Sequence, residues 1–166
     1  MSVDRSCCCP SVEDMASIPM GDERHLRVFR SLELGRRHGG RQWWLSAATC
    51  GACGQHWMIA HDERIHDLSH LKRISEQRMR DIAEHDIWPD DFMRYEEVLR
   101  LGKTAGAPFF RFLDASSPAL VDTAADLRRE RPEMSHEEIA DLLAITLEQA
   151  MNLFRDAFAA KPTTPP

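Results

Sequence analysis

The period of the hydrophobic pattern changes along the chain. Leu26, Val28, Leu32 and Leu34 alternate with Arg27, Phe29, Ser31 and Glu33. A period of two predicts a strand over 25–34, with Arg30 as its one break. GRRHGGR (35–41) reads as a turn by its glycines. QWWLSAA (42–48) alternates again, and QHWMIA (55–60) supplies a third strand. From Asp62 the period lengthens: Ile65, Leu68, Leu71, Ile74, Met79 and Ile82 recur at helical spacing. That spacing predicts a long amphipathic helix to about residue 86, packed across the sheet. IWPDD (87–91) breaks it, and Asp90 caps a further helix that ends near Leu101–Gly102.

The flanking segments are less periodic. Residues 1–24 read as an irregular arm. KTAGAPFFRFLDASS (103–117) reads as a linker, with Phe109, Phe110 and Phe112 to pack it down. Ser117 before Pro118 predicts a helix start, and Pro132 stops that helix after Arg131. Ser135 with Glu138 and Thr146 with Gln149 form two capping boxes, which predict short helices over 135–144 and 146–160. Residues 161–166 (KPTTPP) are expected to be a disordered tail. The fold class that results is α+β. A small antiparallel sheet module (1–60) packs on the long helix and its successor (61–102); a linker (103–117) and a C-terminal helical bundle (118–160) follow.

Composition narrows the class. The chain has 166 residues, 43% hydrophobic and 29% charged, as in a globular protein. No apolar run reaches the roughly 20 residues that cross a bilayer, and the first twenty residues lack the order of a secretory signal. The net charge is −6, from 21 Lys and Arg against 27 Asp and Glu, which does not favour steering toward a phosphate backbone. Residues 24–44 depart from that balance. They carry Arg24, Arg27, Arg30, Arg36, Arg37 and Arg41 against Glu33, a local net of +5.

The five cysteines fall into two groups, Cys7–Cys8–Cys9 and Cys50-Gly-Ala-Cys53 followed by Gly54. An odd count in tight groups does not suit a secreted disulfide framework, so a reducing, cytoplasmic setting is expected. Cys-x-x-Cys-Gly is a common half of a tetrahedral zinc site, because its turn aims amides at the sulfurs and glycine supplies a positive φ. Cys7 and Cys9 are the first choice for the other half, with Cys8 able to replace one of them. The expected cofactor is therefore Zn2+ on Cys7, Cys9, Cys50 and Cys53. Three rivals stand beside it: a redox pair, a pair of inert buried thiols, and a Cys2His2 site drawing on His56, His61, His66 and His70. A redox Cys-x-x-Cys sits where a strand meets a helix in a βαβ unit, whereas Cys50 sits in a hairpin.

CGACGQHW, with the strands around it, resembles a zinc ribbon, over about 50 residues if the Cys7–Cys9 group is its partner. It departs from that family in its first knuckle, which is commonly another Cys-x-x-Cys. CGQHW followed by an amphipathic stretch is also similar to segments of uncharacterised small bacterial proteins. SHEEIADLLAITLEQAMNLF (135–154) resembles a helix-turn-helix, with Ala140 and Ala150 at the small buried positions and Ala144 at the turn. The resemblances imply a structural zinc and a second helix whose early residues, Glu148, Gln149 and Asn152, would face base edges in a DNA-binding member.

The favoured function is a zinc-binding, non-enzymatic interaction module with a protein partner. One alternative is a nucleic-acid-binding regulator that uses Arg27, Arg36, Arg37 and Arg41 of the hairpin with Gln149, Asn152 and Arg155. It is disfavoured because 135–161 carries five acids against Arg155 and Lys161. A second alternative is a metal-dependent hydrolase with a histidine-containing site. No phosphate-binding glycine loop, nucleophile elbow or HExxH is present.

Overall fold

The computed structural model describes residues 7–104 and 117–159. The chain forms two compact units, Met1–Pro108 and Phe109–Pro166. The first is built on a five-stranded antiparallel sheet of order β1-β5-β4-β3-β2, with β1 at Ala16–Pro19, β2 at Leu32–Gly39, β3 at Trp43–Cys50, β4 at His56–Asp62 and β5 at Leu68–Ile74. Helix α1 (Glu23–Arg30) lies between β1 and β2, and α2 (Glu76–His85) and α3 (Tyr95–Thr104) follow β5. No helix among the described residues is long and apolar enough to cross a membrane.

Three sequence expectations are corrected here. The alternation over 25–34 is not one strand. Residues 23–30 are helix, started by Asp22, whose carboxylate accepts the His25 N–H at 2.6 Å. The side chains that α1 turns inward, His25, Val28 and Phe29, sit at i, i+3 and i+4, the spacing of one helix face. The glycine-rich stretch from 35 is mostly strand. β2 continues to Gly39 through a bulge between Leu34 and Arg37, so the turn shrinks to 40–42.

The third correction is the largest. The long helix over 62–86 does not exist: Leu68–Ile74 is an interior strand, and only Glu76–His85 is helical. β5 is covered on both faces, so Leu68 and Ile74 are buried on one side and Leu71 on the other. A strand buried on both sides loses its alternation, and its apolar residues can fall at intervals of three. The expected three-stranded sheet therefore gains β5 and the edge strand β1.

The registers sort side chains onto two faces. Ile18, Ala48, Cys50, Trp57, Ile59 and Leu71 share one face, where Val28 of α1 and Cys9 and Val12 of the N-terminal segment complete a core. The opposite face carries Leu45, Met58, Ala60, Leu68 and His70, and Gly102 of α3 approaches His70 and Leu68. Asp62, fully buried, ties the β4–β5 connection: its Oδ1 accepts from the Arg64 and Ile65 amides and from the Tyr95 hydroxyl at 2.7 Å.

The second unit packs three helices on one another: α4 (Pro118–Glu130), α5 (His136–Leu143) and α6 (Leu147–Ala159). Both capping boxes are present; the Ser135 hydroxyl accepts the Glu138 N–H at 3.1 Å, and the Thr146 hydroxyl accepts that of Gln149 at 3.1 Å. Leu120, Leu127, Leu142 and Leu143 are buried in its core, whereas Leu147 is 42% exposed. The expected linker is helical at 103–104; its remainder over 105–116 and the tail at 161–166 lie outside the described residues.

Two predictions follow from these elements. Ala144 ends α5 in the left-handed region at φ 55°, where a Cβ costs roughly 1–2 kcal/mol. Ala144→Gly should therefore raise stability by about 1 kcal/mol in urea titration. His61 and His70 are both lowered to about 4, by burial first and then by neighbouring basic groups: His25, Arg37 and His70 for His61, and His66 for His70. The unfolded chain, with histidines near 6.5, then binds more protons than the folded one between those values. Stability should fall as pH drops from about 6.5 toward 4, measured as a decreasing urea midpoint.

Candidate metal centre

Two segments 43 residues apart in sequence meet at one end of the sheet. The first is the turn after β3. Cys50 is the last residue of that strand, and its N–H donates to the Gln55 carbonyl at 2.9 Å. The Gly54 N–H returns to the Cys50 carbonyl at 2.8 Å, with Gly54 at φ 75°. This closed turn places Cys53 beside Cys50, and the Gly51 N–H anchors it to the Ser31 carbonyl at the end of α1. The second segment is a 3-10 turn, Cys9–Ser11, with Pro10 inside it. Cys7 precedes this turn and Cys9 opens it, and both present their sulfurs to the β3 turn.

The sulfur atoms of Cys7, Cys9, Cys50 and Cys53 all lie within 4.8 Å of one another. Cys7 and Cys50 are 3.9 Å apart. Four sulfurs on a tetrahedral zinc, at bonds of about 2.3 Å, stand about 3.8 Å apart. The cluster is therefore close to that geometry, and closing it on an ion takes movements of about 1 Å or less. None of the five cysteines is joined in a disulfide. A four-cysteine cluster of this kind can hold a metal ion such as zinc.

The local field favours a thiolate at Cys50. Burial pushes that thiol up, but the backbone amides of Ala52 and Cys53 and the side chains of Ser31 and Cys53 outweigh it and bring it down to about 6. These amides do for a thiolate what they do for any anion at a tight turn. Cys9 is raised, chiefly by burial, and Cys7 is raised by its hydrogen bond with the Cys53 side chain. One sulfur is thus prepared as an anion, and an ion that binds displaces the protons of the others.

The surroundings join the cluster to the core. Cys9 and Cys50 are buried within it, while Cys53 is exposed. The fully buried Trp57 donates its indole N–H to the Cys9 sulfur at 3.4 Å. Arg73, opposite Trp57 on β5, places its guanidinium 4.6 Å from the centre of the Trp57 ring. The same guanidinium donates to the carbonyls of Cys9 and Val12, each at 2.7 Å, and to the Gln55 side chain at 3.0 Å. Sequence reasoning missed Arg73 because it placed the residue on a helix. Its one signal is the arginine–tryptophan pair that becomes adjacent once β4 and β5 are paired.

The other candidates go elsewhere. Among the described residues, no histidine or carboxylate joins the four sulfurs. His61 lies at the opposite end of β4 from Trp57, stacked on Trp44 and hydrogen-bonded to Ser69; His70 pairs with Ser17 on the other face. Neither these two nor His66 shares a helix, because residues 61–70 span the end of β4, a turn and the start of β5. Cys8 is outside the four-sulfur group and lines a cavity of about 340 Å³ with Ser11, Arg24 and Arg27.

The arginines do not form one hairpin surface. Arg27 is exposed on α1, Arg36 donates to the Ala83 carbonyl, Arg37 donates to the Gly40 carbonyl while lying over Trp44, and Arg41 sits in the β2–β3 turn. On α6, the Gln149 side chain accepts the Thr146 N–H, and Arg155 donates to Asn152.

Comparison with known proteins identifies no relative: no family model, no curated protein and no solved structure matches the chain.

Gly54 tests the turn by itself. Nothing lies within 4 Å of a Cβ built there, so the cost of Gly54→Ala is conformational only. It should lower stability by about 1 kcal/mol in urea titration of the metal-free protein, without a change in the spectroscopic signature of the fold.

Proposed function

We propose that the chain is a zinc-binding, non-enzymatic interaction module, and that Cys7, Cys9, Cys50 and Cys53 hold one structural zinc. The observation that carries this reading is the convergence of four sulfurs from two separate segments, with the Cys7–Cys50 pair at 3.9 Å. An all-sulfur donor set suits zinc among the common divalent ions. Four protein ligands leave no position for a reacting water, which separates this centre from a hydrolytic one. The zinc would fasten the N-terminal segment across the sheet, in the manner of the zinc-ribbon likeness around CGACGQHW.

The surface beside the centre supports a binding role. The outward side of α1 carries Arg24, Arg27 and Arg30, and Leu26 beside them is 58% exposed. A guanidinium cluster around an apolar side chain suits a protein partner with an acidic surface, since arginine forms forked bonds to carboxylates.

Elemental analysis of the purified protein should find about one zinc per chain, and Cys50→Ser should lose it. The sheet is larger than a metal-dependent knuckle needs, so a chelator should raise hydrogen exchange over 7–19 while β3, β4 and β5 stay protected. A protein that neither carries nor takes up zinc would falsify the reading.

A further inference from the structure

We infer that Arg73 is the positioning residue of the four-cysteine centre, and that with Trp57 it selects Cys9 over the neighbouring Cys8 as a ligand. This rests on the zinc reading above.

The argument starts from three consecutive cysteines. Each of them offers a thiol, and a flexible segment can present any two to an ion. A site that always uses the same two needs something other than the cysteines to hold the segment in register. Arg73 meets that need. Its guanidinium reaches the Cys9 and Val12 carbonyls at 2.7 Å and the Gln55 side chain at 3.0 Å. Cys9 opens and Val12 caps the 3-10 turn that follows Cys7, and Gln55 closes the turn that bears the second two sulfurs. One planar group therefore spans both halves of the centre.

Further contacts fix the same register. The Arg73 backbone N–H donates to the Asp14 carboxylate at 2.6 Å, which continues the β1–β5 pairing past the end of β1. The guanidinium lies over the Trp57 ring, whose N–H points at the Cys9 sulfur at 3.4 Å. Cys9 is thus gripped at its carbonyl by Arg73 and at its sulfur by Trp57. Sliding the segment by one residue would carry the Asp14 carboxylate away from the Arg73 N–H and put Ser11 in the buried place of Val12. Lysine cannot replace this arrangement, because its donors radiate from one atom and do not span three acceptors on two segments.

Groups that orient metal ligands typically change metal affinity by about 10–100-fold when removed. The test follows zinc release to excess chelator and maps alkylation of each cysteine by peptide mass spectrometry. In the zinc-loaded wild-type chain, Cys8 should be modified while Cys7, Cys9, Cys50 and Cys53 are protected. Arg73→Met should release zinc about 10–100-fold faster and spread modification over Cys7, Cys8 and Cys9. Arg73→Lys should not restore the wild-type pattern, and it decides the matter should Arg73→Met fail to fold. Leu68→Ala, on the same strand but the opposite face, serves as the destabilised control and should keep both the wild-type release rate and the Cys8-only pattern.

Release at the wild-type rate with Cys8 alone modified in both Arg73 variants overturns the inference. So does a Leu68→Ala control that behaves as they do, since the effect would then be loss of stability. A wild-type chain that takes up no zinc instead removes the metal reading on which the inference stands.

Discussion

Four sulfur atoms meeting at the end of a sheet constrain where the N-terminal segment of the first unit lies. The N-terminal segment has little of its own to hold it: a three-residue 3-10 turn and a four-residue edge strand. Such a segment gains too few contacts to offset the entropy of ordering it unless something fastens both ends. β1 pairing with β5 fastens one end, and the four-cysteine cluster with Arg73 fastens the other. Because Cys9 and Cys50 are part of the same core as Val12, Ile18, Trp57 and Leu71, the cluster and the packing support each other. A change in one is felt in the other.

The two ends of the sheet do different things. Cys50 and His56 stand at one end of the β3–β4 pair, and Trp43 and Asp62 at the other. The sulfurs gather at the first end. At the second, buried polar groups are spent on structure: Asp62 closes the β4–β5 connection and pairs with Tyr95, and His61 is stacked beside Trp44. Burial holds the His61 and His70 rings neutral, so they sit in the interior as polar packing residues. His61 is therefore separated from the cysteines by the length of β4, whereas His56 stands at their end.

The second unit packs three helices on one another, and the last of them, α6, uses its polar side chains locally. The Gln149 side chain is used as a cap, Arg155 is engaged by Asn152, and the outward positions Leu147 and Met151 are apolar, at 42% and 54% exposed. The small residues that make the turn possible serve packing: Ala140 and Ala150 are buried where α5 and α6 meet. Ala144 adopts the left-handed conformation that the turn demands.

What was legible in the sequence was local. The two capping boxes, the helix start at Pro118, the hairpin of β3 and β4 and the glycine of the cysteine turn depend on residues within a few positions of one another, and each is present as read. The pairing of Cys7 and Cys9 with Cys50 and Cys53 was legible for a different reason: few other side chains carry that chemistry. Burial on both faces was not legible. It erased the alternation of β5 and let three apolar residues imitate a helix, and the inward face of α1 overlapped a run that alternates by coincidence. Arg73 became part of the centre only when β5 was laid beside β4. A ladder between strands sets which distant side chains face each other, and no local period records that choice.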